Sequence, residues 1–203
     1  MTPSPRLLAA LSIIVFASTF ASGQFYKIHN ADVAVGGTGQ FTTSITDQET
    51  VPHQGTTDSA GFLLSFRDHP VAWAGIEFNY GYSSFSERFI GLNSLPLASV
   101  ALSAHEATAA YLFHPHFRKL QPFVGVGGGA LYFHPYPVAF NPQWRGTGLF
   151  EIGADIPTSN PHLGFRVQAR SLLYRAPNFN NSSIATSRWV ATNEPSASVY
   201  VRF

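Results

Sequence analysis

Cysteine is absent from this 203-residue chain, which excludes a disulfide-stapled scaffold and a cysteine-linked lipid anchor. Charge is scarce: Asp, Glu, Lys and Arg make up 11% of the residues, against about 25% in an ordinary soluble domain. Beyond the amino-terminal segment, no apolar run approaches the roughly 20 residues that a membrane-spanning helix needs. Helical patterning is nearly missing too, because the alternation has period two and 17 glycines and 14 prolines interrupt longer patterns. Only the Ala-rich stretch from Ala101 to Tyr111 lets a short helix compete with a strand. Basic and acidic residues number 12 and 11, so no basic footprint for nucleic acid exists.

What is present begins with an export signal. Residues 1–23 read as a secretory leader: Arg6 supplies the positive start, Leu7 to Phe20 the apolar stretch, and Ala21-Ser22-Gly23 a small-residue cleavage site. Cleavage after Gly23 leaves one mature domain, 24–203, whose charges balance once Arg6 is removed. The mature chain is expected outside the cytoplasm. Its low charge and 14% aromatic content suit a surface that meets lipid, and a span without helices must be made of strands.

Eight segments alternate with strand period: 32–44, 59–67, 72–82, 105–113, 122–133, 148–156, 163–173 and 196–203. Most are near the 9–11 residues of a tilted membrane strand. The connections between them alternate in length. Residues 68–71, 114–121 and 157–162 are short, whereas 45–58, 83–104, 134–147 and 174–195 are long. Short turns on one rim and long loops on the other match an outer-membrane barrel with its turns in the periplasm. The expected fold is all-β: an eight-stranded, antiparallel, up-and-down transmembrane β-barrel.

The two faces of these strands differ in kind. Phe62, Leu64, Ile76, Phe78, Tyr80, Tyr111, Val126, Phe150, Ile152, Phe165, Val167, Val199 and Val201 share an uncharged face. The opposite face carries Arg67, Glu77, Glu106, Glu151, Asp155, Arg166, Arg170 and Arg202, interleaved with glycines 61, 75, 81, 125, 127, 129 and 153. Arginine on a lipid face costs about 2–4 kcal/mol at the bilayer midplane, so the charges belong inside. There, balanced acids and arginines pair as a lumen ion network. The glycines give bulky lumen side chains room near the wall.

The last residues, Val199-Tyr200-Val201-Arg202-Phe203, form a patterned strand that ends on an aromatic residue. Together with the leader, the alternation, and the strand Pro122-Phe123-Val124-Gly125-Val126-Gly127-Gly128-Gly129-Ala130 after Leu120-Gln121, they carry a resemblance. Over essentially its whole mature length the chain resembles small outer-membrane β-barrels of the OmpA/OmpX-like type. The resemblance implies residence in a bacterial outer membrane and contact with its lipid. It also implies handling by the barrel-assembly machinery, with Val199, Tyr200, Val201 and Phe203 as the carboxyl-terminal assembly signal. A peptidoglycan-binding domain following the barrel is not expected, because the sequence stops at Phe203.

No catalytic, cofactor or metal residues are expected. His114-Pro115-His116 offers two imidazoles, but a closed structural metal site takes four ligands. The run Gly125 to Gly129 lacks the following Lys-Ser/Thr and the helix of a phosphate-binding loop. Some barrels of this kind modify lipid A with a Ser-His-acid set, and Ser103, His105 and Glu106 lie close in sequence. Under strand alternation, however, His105 and Glu106 point to opposite sides. A small-solute pore is a further alternative, although eight strands leave an interior that side chains fill. The remaining expectation is a structural or surface-interaction role. It would use the long loops, including Asn178, Asn180, Asn181, Ser182 and Ser183, toward an unidentified extracellular ligand.

Overall fold

The computed structural model describes residues 31–45, 53–91, 96–115, 120–137, 139–181 and 188–203. The leader, His116, Ser182 and Ser183 lie outside the described residues. Alternating small or apolar and polar residues form strands throughout, and among the described residues there is no helix; Ala101 to Tyr111 is strand. The elements are β1 (Ala31–Thr42), β2 (His53–Thr56), β3 (Ser59–Val71), β4 (Ala74–Ile90), β5 (Pro96–Phe113), β6 (Gln121–Pro135), β7 (Gln143–Pro157), β8 (Leu163–Arg175) and β9 (Trp189–Arg202). Eight of them close a barrel in the order β4-β3-β1-β9-β8-β7-β6-β5, with β4 pairing back onto β5 and every ladder antiparallel. Closure through the terminal strands β1 and β9 leaves the wall without an edge.

Strand period two then sorts the side chains. Phe78, Tyr111, Val126, Phe150, Phe165 and Val201 stand outward and exposed, while Arg67, Glu77, Glu151 and Arg166 are fully buried inside. This inversion of a soluble barrel is what a lipid solvent requires. Aromatic residues mark both ends of the apolar band: Trp73 beside Phe113 at the short-turn end (ring centroids 6.3 Å apart) and Tyr132 beside Trp144 at the other (4.7 Å).

Several strands run past the band, and the expected loops shrink accordingly. The β4–β5 ladder continues to Ile90 opposite Pro96, so most of 83–104 is hairpin and not loop. On β4 the outward positions above Tyr82 are Ser84, Ser86 and Arg88, which places this stretch beyond the hydrocarbon. The period-two signal persists there, but its outward residues are polar, and a search for apolar membrane strands stops short of them. β7 begins at Gln143 and β9 at Trp189, shortening the expected loops 134–147 and 174–195; there the pattern is interrupted by Gly146 and Gly148 on β7 and by Pro195 on β9. The first long connection contains β2, which adds to the upper end of β4 through His53–Ile90 to Thr56–Glu87.

Two lumen glycines have a direct steric reason. A Cβ on Gly125 would collide with the Glu151 side chain, and one on Gly153 with the Phe123 ring. Close approach of large side chains to the wall therefore depends on these positions lacking their own.

Candidate functional site

The barrel interior is layered, and register builds each layer. In the tier nearest the short turns, direct cross-strand partners alternate in sign: Glu77 opposite Arg67, Arg67 opposite Asp32, Asp32 opposite Arg202, and Asp155 opposite Arg166. Arg67 donates to Glu77 and lies 3.4 Å from Asp155. Arg166 donates to both Asp155 oxygens at 2.6 and 3.1 Å and to Asp32 at 2.9 Å. Its guanidinium also faces the Tyr200 ring at 5.2 Å, while Arg67 sits 3.8 Å over Phe123. Three arginines thus meet three acids.

A second tier lies above, around one arginine. Arg170 is opposite Glu151 on β7 and Glu194 on β9. It donates to Glu106, to Glu194 at 2.8 Å and to Thr108 at 3.3 Å, and stands 3.7 Å from Glu151. Three buried carboxylates share this single cation.

All eight residues expected in the lumen network stand in it. Arg202 is the outlier: its side chain is 25% exposed at the short-turn rim, 3.9 Å from both Asp32 and Asp155. Sequence reading missed Asp32 and Glu194, which are 0% and 1% exposed. Asp32 has the inward parity of its own strand and was legible. Glu194 precedes Pro195, which truncated the strand as read from the sequence. Tyr200 also points inward and is 1% exposed, whereas Val199, Val201 and Phe203 face outward. Phe203 still pairs, its N–H donating to the Ala31 carbonyl at 3.0 Å. Deleting Phe203 is expected to lower the amount of heat-modifiable barrel in cells severalfold; undiminished barrel on unboiled gels would count against the assembly-signal reading.

Above the ionic tiers the interior turns apolar. Leu102, Leu131, Phe133, Leu149, Leu172, Tyr174 and Val190 fill it, leaving a void of about 20 Å³, room for about one water. Segments from the long-loop side cap this layer. Phe179, at 1% exposure and in the left-handed backbone region (φ 49°), packs 5.9 Å from Phe140. The Gln143 side-chain oxygen accepts from the Asn178 and Phe179 N–H groups at 3.0 and 3.1 Å. Arg145 donates to the Ala176 carbonyl and to Asn178, each at 3.3 Å.

The groups weighed for chemistry are held apart. His105 faces outward and bonds Tyr80 (2.8 Å), while Glu106 points inward to Arg170. His114 packs on His69 with ring centroids 4.7 Å apart, and among the described residues no group of His, Cys, Asp and Glu is arranged to hold a metal ion. Burial, reinforced by His69, brings the His114 imidazole down to about 4, so it adds no positive charge to the short-turn end at neutral pH.

No protein-family model matches this sequence, and no curated protein is significantly similar to it. Solved structures are. The outer-membrane protein OprG of Pseudomonas aeruginosa superposes with a TM-score of 0.57 at 14% identity, over 86% of this chain and 95% of OprG. Neisserial surface protein A gives 0.59 at 11% identity, over 85% and 97%. The attachment invasion locus protein of Yersinia pestis, solved with the heparin analogue sucrose octasulfate, gives 0.52 at 11%, over 86% and 98%. The chain has the fold of the small eight-stranded outer-membrane barrels, as its resemblance to the OmpA/OmpX-like type implied.

Proposed function

We propose that this chain is an integral protein of a bacterial outer membrane that presents a surface for interaction on its long-loop side, without catalysis and without a standing pore. The packing of the interior carries this reading. A lumen filled by two ionic tiers and an apolar layer, and closed by Phe179, offers no continuous water path. By contrast, the side away from the short turns is built up. The β4–β5 hairpin rises past the apolar band, β2 widens it, and Gln143 and Arg145 tie down the segment after β8. A preorganised surface of this kind loses little entropy on binding. That the attachment invasion locus protein has this fold and was solved with a heparin analogue lends the surface role support from a protein of similar architecture.

The test replaces the hairpin end, residues 89–97, by a two-residue turn in cells producing the full chain. The trimmed barrel should keep its boiling-dependent gel shift while adhesion of the cells to a sulfated polysaccharide surface falls to the level of cells lacking the protein. Equal adhesion by trimmed and untrimmed cells would overturn the surface role. Steady single-channel conductance of the purified chain in planar bilayers would favour the pore.

A further inference from the structure

The cap contains a carboxyl group that the ionic tiers do not use. Glu87 points inward from the part of β4 that stands beyond the apolar band, next to the outward Arg88, and is 2% exposed. Among the described residues no basic side chain lies within ion-pair distance of it. Val100 is opposite it on β5 and Thr56 on β2; Phe89 follows it inward on its own strand. Arg145 of β7 is the nearest positive influence, but its guanidinium is committed to Ala176 and Asn178 and is repelled by Arg175. From β8 the buried phenol of Tyr174 faces the same space.

The hydrogen bond to Glu87 comes from the cap itself. Gln54 Nε2 donates to Glu87 Oε2 at 3.1 Å and to the Pro177 carbonyl at 3.5 Å. Gln54 is also held by its backbone, which exchanges two 2.8 Å hydrogen bonds with Ile45. One side chain thus joins β2, β4 and the segment after β8. Gln54 Oε1 is buried with no donor, and a protonated Glu87 brings an O–H to this contact that a carboxylate lacks.

We propose that Glu87, acting through Gln54, is a proton-operated latch on the extracellular cap: the neutral acid holds the cap over the barrel mouth, and ionisation loosens it. Burial pushes the Glu87 carboxyl up to about 8 from an ordinary 4.5, with the Gln54 hydrogen bond and the Arg145 charge only partly opposing the shift. A raised acid binds its proton more tightly in the closed state. Closure is therefore strongest below the ordinary carboxylate range, weakens by up to about tenfold per pH unit above it, and levels off above about 8. The upper lumen, sealed at neutral pH, becomes reachable from outside in alkali.

The absence of cysteine makes the test direct. Ala176 is fully buried in the cap and Ser159 is exposed on a short turn. Single variants Ala176→Cys and Ser159→Cys of the full chain, in lipid nanodiscs, are reacted with a small, permanently charged methanethiosulfonate between pH 6 and pH 9. The ratio of the two rates should rise at least about tenfold and then level off, and should stay low and flat when Glu87→Gln is added. A flat ratio in the parent, or the same rise with Glu87→Gln, would overturn the latch. Should the added variant fail to give the heat-dependent gel shift, hydrogen exchange on the unmutated chain decides. The Ile45 and Gln54 amides should then accelerate with pH more steeply than exposed amides, and an equal slope would sink the proposal.

Discussion

Replacing Arg170 by leucine is expected to cost about 5 kcal/mol of barrel stability, the upper end of what breaking a buried ion pair costs. The reason is the count around it. Glu106, Glu151 and Glu194 are 5%, 0% and 1% exposed, and Arg170 is the only guanidinium within 4 Å of any of them among the described residues. Its loss leaves three carboxylates facing one another in a space with almost no water. Without the cation the three acids repel one another, so the variant should gain stability as the pH falls and they protonate. Urea titrations of the heat-modifiable form in detergent, at neutral and mildly acidic pH, read both effects. An Arg170→Leu barrel as urea-resistant as the parent would show that the upper tier is not held by charge.

Arg166→Leu should cost less, about 3 kcal/mol, although Arg166 makes as many side-chain hydrogen bonds as Arg170, four each. Asp155 keeps Arg67 at 3.4 Å and Arg202 at 3.9 Å, and Asp32 keeps Arg202 at 3.9 Å. The lower tier has replacement cations and the upper tier has none. The ranking of the two variants, more than either magnitude, tests the layered reading; a larger loss from Arg166→Leu would point to one undivided network. Adding Glu194→Gln to Arg170→Leu should recover part of the loss, because neutralising one acid lowers the repulsion among the remaining two.

Much of the barrel was legible because a transmembrane strand is a local object. Whether Phe78 faces lipid and Glu77 faces the lumen follows from their being neighbours on one strand. The alternation of short and long connections then orders the strands around the wall. Strand ends were misread where the local signal changes meaning. On β4, Ser84, Ser86 and Arg88 continue the same alternation in water instead of lipid, and Pro195 sits inside β9 although proline argues for a boundary. Proline is tolerated there because its backbone faces β1 where that ladder is interrupted, between the pairs Thr38–Ser196 and Phe41–Asn193, and the Thr38 hydroxyl donates to the Pro195 carbonyl at 3.3 Å.

The sequence by itself determined the topology, the inversion of polarity between wall and lumen, and the identity of eight of the ten ion-network residues, because each depends on parity along a strand. Only the tertiary structure decided how those charges divide. Which acid meets which arginine depends on the stagger between strands, so one tier balances three against three while the other hangs on Arg170. The apolar layer above them, the cap closed by Phe179, and the burial of Glu87 beneath Gln54 were likewise decided only there. They come from segments far apart in the chain that meet over the barrel mouth, and no local periodicity records such meetings.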